Sequence, residues 1–210
     1  AQPWTAETPK LYDATVSTDT ETVTIRIGFR SVAIAGDIIT VNGEKIVFRG
    51  VNRHEWHPRT GRTLDEQTMR ADLELMKRHG VNAIRTSHYP PNARFLDLCD
   101  EYGVWVLLEC DLETHGFERG GWDGNPTNDD RWYDCLLNRI QRTVERDKNH
   151  PAIIGWSMGN ESHCGEGIRL MNDWVKNRDP SRFTHYEGDD AHTICDVWTV
   201  MYPSMEWVEA

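Results

Sequence analysis

The sequence predicts an α/β protein, an incomplete (β/α)8 barrel of about six strands over residues 37–210, preceded over residues 1–36 by the last strands of an antiparallel β-sandwich. Three observations predict it. From about residue 46 onward, short apolar runs alternate with stretches of three- and four-residue apolar spacing, the mark of parallel β/α units with right-handed crossovers. The N-terminal residues instead alternate polar and apolar positions with period two, as half-buried antiparallel strands do. Finally, titratable residues recur at the carboxyl ends of the apolar runs, where a barrel keeps its chemistry, and no Gly-rich phosphate turn of a doubly wound sheet follows any of them.

Taken in order, the alternation at residues 22–30 predicts an antiparallel strand. Asn42-Gly43 between two apolar runs predicts a hairpin across residues 38–50, at the entrance to the second domain. Thr63-x-x-Glu66 reads as a capping box, and Met69, Leu73 and Met76 then share one face before Gly80, so a helix is predicted over residues 64–79. A strand at 83–87, a helix at 92–102 and a strand at 104–109 follow. Leu136, Ile140 and Val144 mark the next helix, which the Asn149-His150-Pro151 stop must end. The apolar run into Asn160-Glu161 is a buried strand, Ile168, Met171, Trp174 and Val175 lie on one helix, and residues 183–187 and 197–202 are the last two strands.

Composition narrows the function classes. A formal charge of −11 repels phosphate, which argues against nucleic-acid and anionic-membrane partners and is compatible with a neutral ligand such as a sugar. The five cysteines show no CxxC spacing and an odd count, so neither a zinc site nor a disulfide framework is suggested and a reducing, cytoplasmic compartment is the simpler expectation. No run approaches the roughly 18 apolar residues of a membrane span. Most of the nine tryptophans are expected in core packing, with stacking on sugar rings as the functional alternative for some.

The expected strand ends collect His54 and Glu55, then Arg85 and His88, then Glu109, Glu113 and His115, then Asn160 and Glu161, then Glu187, then Tyr202. Taken singly, each has a dull explanation as a hydrogen-bonded structural histidine or a solvated loop carboxylate. Recurrence at every strand end argues for one shared mouth. Glu113 and His115, two residues apart in an extended segment, point to the same side. With Glu161 they could ligate a divalent cation, magnesium being better suited than zinc to a site of carboxylates and waters.

Asn82-Ala-Ile-Arg-Thr-Ser-His-Tyr-Pro90 and Asp147-Lys-Asn-His-Pro-Ala-Ile-Ile-Gly-Trp-Ser-Met-Gly-Asn-Glu161 resemble signatures of glycoside hydrolase family 2. Gly50-Val-Asn-Arg-His-Glu-Trp-His-Pro58 and Glu113-Thr-His-Gly116 further resemble its β-galactosidase branch, and the resemblance extends to Pro9-Lys-Leu-Tyr12. It implies a partial TIM barrel after the tail of an immunoglobulin-like sandwich, and retaining hydrolysis of terminal β-galactosides such as lactose. It further implies Glu161 as general acid/base, Glu113, His115 and Glu161 as magnesium ligands, and Asn160 bonded to the sugar 2-hydroxyl. By the same resemblance His54 and His88 bond sugar hydroxyls in the transition state, and Arg85 and Tyr202 lie beside the nucleophile. A homo-oligomeric, bacterial parent protein is implied as well. β-Glucuronidase and β-mannosidase are the alternatives within the family, and a non-catalytic sugar- or metal-binding barrel is the alternative outside it.

Two departures stand out. Gly155 occupies a position where the family's strand has a larger apolar residue, so locally looser packing is expected, by roughly a kcal/mol of lost burial. No residue matches the nucleophile's motif, and Glu206 and Glu209, in a polar tail, are poor substitutes. The chain is therefore expected to hold half of a catalytic pair, with the nucleophile and the last two barrel strands beyond Ala210, and to be inactive without the remainder of the barrel.

Overall fold

A computed structural model of the protein describes residues 1–209. The chain opens on an antiparallel ribbon of β1 (Tyr12–Ser17) and β2 (Thr22–Ile27), followed by a second antiparallel sheet of β3 (Val32–Ala35), β4 (Ile38–Val41) and β5 (Glu44–Lys45). The Asn42-Gly43 turn joins β4 to β5 as its composition predicts, both residues standing at positive φ, 54° and 85°, which a type I′ turn requires.

The β/α units then run β6 (Gly50–Asn52), α1 (Glu66–Arg78), β7 (Ala83–Arg85), α2 (Ala93–Tyr102), β8 (Trp105–Glu109), α3 (Tyr133–Asp147), β9 (Ile153–Asn160), α4 (Glu166–Arg178) and β10 (Phe183–Glu187), with a short α5 (Met205–Glu209) after them. Strands β6 to β10 form one parallel sheet in sequential order, as βαβ crossovers of a barrel produce. β10 and β6 do not pair, so among the described residues the sheet has five strands and open edges. β9 is buried along its whole length, which is why it reads as a continuous apolar run.

Trp4 and Arg182 cover the amino ends of β8 and β9. Trp4 is fully buried, packs edge-on against Trp105 with centroids 5.1 Å apart, and donates its indole N–H to the Asp100 carbonyl at 2.9 Å. Arg182 donates to the Ile153, Lys148 and His150 carbonyls at 2.8, 2.8 and 3.1 Å and pairs with Asp179 at 2.6 Å. Trp156 Nε1 adds a bond to the same Asp179 carboxylate at 2.8 Å.

Three expectations are corrected. Residues 197–202 do not form a sixth strand: Asp196 places its carboxylate on the Thr184 N–H at 2.9 Å and the Thr184 hydroxyl at 3.0 Å, so a side chain occupies the edge donor of β10 that a next strand would need. The capping box at Thr63 is not formed either. Helix α1 begins at Glu66 with Asp65 as its N-cap, accepting from Thr68 N at 2.8 Å, because Asp65 stands directly before the helix and Thr63 does not. Packing at Gly155 is not loose: a Cβ there would lie 2.4 Å from Phe183 Cε2 and 2.9 Å from Leu107 Cδ1, so the Phe183 ring fills the space that a larger residue would take.

Candidate active site

Because the strands are parallel, Asn52, Arg85, Glu109, Asn160 and Glu187 end at the same edge of the sheet. The long connection after β8 returns to this edge through a parallel bridge between Glu113 and Asn160. That bridge brings Glu113 and His115 next to Glu161, and one potential ligand atom from each of the three lies within 4.8 Å of the others. His115 Nδ1 is 3.6 Å from Glu161 Oε2, while its Nε2 bonds Glu118 Oε2 at 2.8 Å. Two carboxylates and one imidazole nitrogen, all solvent-accessible, fit a hard cation that retains water ligands. His115 also stacks near Trp122, itself 5.4 Å from the His163 ring.

Asn160 is the hinge of the arrangement. Its amide nitrogen donates to Glu113 Oε1 at 2.9 Å and to Glu161 Oε2 at 3.0 Å, and its oxygen accepts from Arg85 Nη2 at 2.8 Å. Glu161 itself sits at φ 40°, a left-handed conformation uncommon outside glycine, with its N–H held by the Glu187 carbonyl at 2.9 Å. Ser162 locks the next residue, donating its N–H to the Tyr186 hydroxyl and its own hydroxyl to the Asn160 carbonyl, both at 2.8 Å.

Beneath the mouth lies Glu109, fully buried. Its carboxylate accepts from Arg85 Nε at 2.6 Å and Ser157 Oγ at 2.6 Å, and its other oxygen is 2.7 Å from His88 Nδ1. Ser157 has a single hydroxyl proton and gives it to Glu109, so its oxygen accepts from His185 Nδ1 at 2.8 Å. Burial, helped by the charge of Arg85, holds His185 down at about 3, a neutral imidazole at any working pH. Burial pushes the Glu187 carboxyl up despite its bond from Thr199 Oγ1 at 2.9 Å.

His54 and His88 meet edge-to-face with ring centroids 5.2 Å apart. With Trp56, Arg62, Tyr89 and Glu113 they line a cleft of about 510 Å³. A second cleft of about 490 Å³, lined by His115, Trp122, Glu161, His163 and Glu187, adjoins the opposite side of the Glu113–Glu161 pair. Both volumes lie in the range of small-ligand sites.

Of the residues singled out by sequence, His54, His88, Arg85, Glu113, His115, Asn160 and Glu161 come together at this mouth. Tyr202 does not: it is 95 % exposed, and the segment before it bonds the β10 backbone only at Thr184, through Asp196 and Val197, without forming a ladder that would align Tyr202 with the mouth. Glu206 is exposed in the terminal helix. Sequence reasoning places Glu109 at a strand end but misses its part as the hub, and misses Ser157 and His185 altogether. The available signal was a polar residue at the inward position of two adjacent apolar strands.

A family model described as glycosyl hydrolases family 2, TIM barrel domain, matches residues 32–210. A β-galactosidase of Arthrobacter sp. (strain B7) is 58 % identical over 90 % of the chain and 18 % of its own length, and one of Vibrio cholerae is 44 % identical over 97 % of the chain and 20 % of its own length. Among solved structures, the chain is similar to a β-galacturonidase of Eisenbergiella tayi bound to galacturonate (TM-score 0.76, 30 % identity, covering 90 % of this chain and 34 % of that one). It is also similar to a β-glucuronidase of an uncultured Clostridium sp. (TM-score 0.81, 27 % identity, covering 90 % and 34 %). The chain spans about a fifth of the length of these two curated relatives.

Proposed function

Since the chain belongs to glycoside hydrolase family 2, we propose that it holds the acid half of a retaining β-galactosidase site. The observation that supports this most is the convergence of Glu113, His115 and Glu161 within 4.8 Å at the carboxyl edge of a parallel sheet. In this reading Glu161 protonates the leaving glycosidic oxygen and, in the second half of the reaction, takes a proton from the attacking water. Asn160 bonds the sugar 2-hydroxyl, exchanging one of its present carboxylate partners for substrate. His54 and His88 present imidazoles to the sugar hydroxyls across the cleft they line. Glu113, His115 and Glu161 would hold magnesium, which when bound supplies fixed positive charge beside the acid.

The second carboxylate of a retaining pair stands about 5 Å from the first. We assign it to the part of the relatives' length that this chain does not span, together with the strands that complete the barrel. Ribbon β1–β2 is then the end of an immunoglobulin-like sandwich. A cytoplasmic, homo-oligomeric parent acting on lactose and similar galactosides belongs to the same proposal. The structural likeness to β-glucuronidases supports the alternative specificity, but the 58 % and 44 % identities to β-galactosidases outweigh it.

The test is a panel of nitrophenyl β-glycosides with the longer protein that contains these residues. Galactoside turnover is expected; glucuronide turnover without galactoside turnover would overturn the assignment. The 210-residue chain alone is expected to be inactive on all of them.

A further inference from the structure

Glu109 is wholly closed to solvent, yet it bonds two side chains of the mouth directly, Arg85 and His88. A fully buried carboxylate costs several kcal/mol of desolvation unless every lone pair is met, and a well-packed apolar residue would often stabilise a core as well or better. Both oxygens of Glu109 are engaged: Arg85 and Ser157 on one and His88 on the other, while its backbone N–H is held by Thr86 Oγ1 at 2.9 Å.

Two consequences run outward from it. Arg85 is held at Nε by Glu109, which aims Nη2 at Asn160 Oδ1 at 2.8 Å. With its oxygen engaged, the Asn160 amide has to turn its nitrogen toward Glu113 and Glu161. On the other side, a carboxylate can only accept, so His88 must carry a proton on Nδ1, and in the neutral ring this leaves Nε2 bare and turned away from Glu109. We propose that Glu109 is the positioning residue of this site, setting the tautomer of His88 and, through Arg85, the direction in which Asn160 holds the two carboxylates. This rests on the glycosidase reading of the mouth, but it makes claims about the chain that can be tested without turnover.

The test uses the 210-residue chain labelled with ¹⁵N-histidine, whose long-range ¹H–¹⁵N spectrum distinguishes imidazole tautomers, together with Mn²⁺ titration as a paramagnetic probe of the Glu113, His115 and Glu161 cluster. In the wild type, His88 is expected as the Nδ1–H form. In Glu109→Gln the amide oxygen should go to Arg85 and the amide nitrogen to His88, which converts His88 to the Nε2–H form. Mn²⁺ affinity should fall about tenfold, as it does when groups behind metal ligands are altered. A merely structural Glu109 would leave both readouts unmoved in a folded Gln variant, and that result overturns the proposal. Should the variant fail to fold, the wild-type spectrum decides, since an Nε2–H His88 is incompatible with the proposal. Absence of Mn²⁺ binding to the wild type would count against the metal assignment, and the tautomer measurement would still judge Glu109.

Discussion

The two ends of the parallel sheet both bury charge, and they use it differently. At the amino end, Arg182 spends its donors on three backbone carbonyls and Asp179, and Asp179 in turn takes Trp156. The network closes on itself. At the carboxyl end Glu109 is buried as deeply, but its bonds run outward through Arg85 and Asn160 and finish on Glu113 and Glu161, which solvent reaches. A closed network holds the fold together; an open-ended one transmits position to groups that must meet a ligand.

This contrast can be tested by breaking each end in turn. The largest effect is expected from Glu161→Gln in the longer protein, a loss of hydrolysis on the order of 10²–10⁴-fold in nitrophenyl release, with the melting temperature of the 210-residue chain not lowered. A large drop in stability would mean that the mouth also holds the fold. Arg182→Ala should do the reverse, since it leaves Asp179 buried without its cation: about 3–5 kcal/mol of stability lost in denaturant unfolding, with Mn²⁺ affinity of the folded fraction unchanged. Gly155→Leu, which drives a side chain into Phe183, should cost about 1–3 kcal/mol. Adding Phe183→Ala should recover part of that loss, and strict additivity of the two would show that they do not share the space.

The smallest effect concerns the amino end alone. His150 Nδ1 lies 2.6 Å from Asp100 Oδ2; burial pulls the imidazole pKa down, but the hydrogen bond and charge of Asp100 outweigh it and the net shift is upward. Stability from that pair is fully present below the unfolded histidine value of about 6.5 and is lost as pH rises through the raised folded value. His185, held neutral by burial, contributes the opposite slope over the same interval, so His150 is read by difference: the stability advantage of the wild type over His150→Gln should shrink on going from about pH 6 to about pH 8. An advantage that grows over that interval would reverse the sign assigned to His150.

Much of this was legible in the chain, and the pattern of what was not is physical. Helices followed apolar spacing because each buries one face, and β9 read as an apolar run because it buries both, whereas β2, expected half-buried from its alternation, is exposed along most of its length; the Asn42-Gly43 turn followed from the positive φ it supplies. The segment 197–202, Val-Trp-Thr-Val-Met-Tyr, has a strand's β-branched and aromatic composition too, but composition does not say whether a partner edge is available. Whether a neighbour's edge is free depends on the Asp196 carboxylate meeting Thr184, a contact between segments that no local pattern records. The same holds at the site. Motifs placed Glu161, Glu113 and His115 together, whereas the Glu109–Arg85–Asn160 relay joins residues 24 and 75 positions apart and emerges only when β7, β8 and β9 lie side by side.

The left-handed backbone of Glu161, φ 40°, has a further consequence. A glutamate held there costs about 1–2 kcal/mol that an asparagine would largely avoid. Any programme of random mutagenesis that rewards heat resistance alone should therefore enrich Glu161→Asn, trading away the acid for thermostability. On the proposed reading of the site, selection for a sturdier chain and selection for hydrolysis would pull this position in opposite directions.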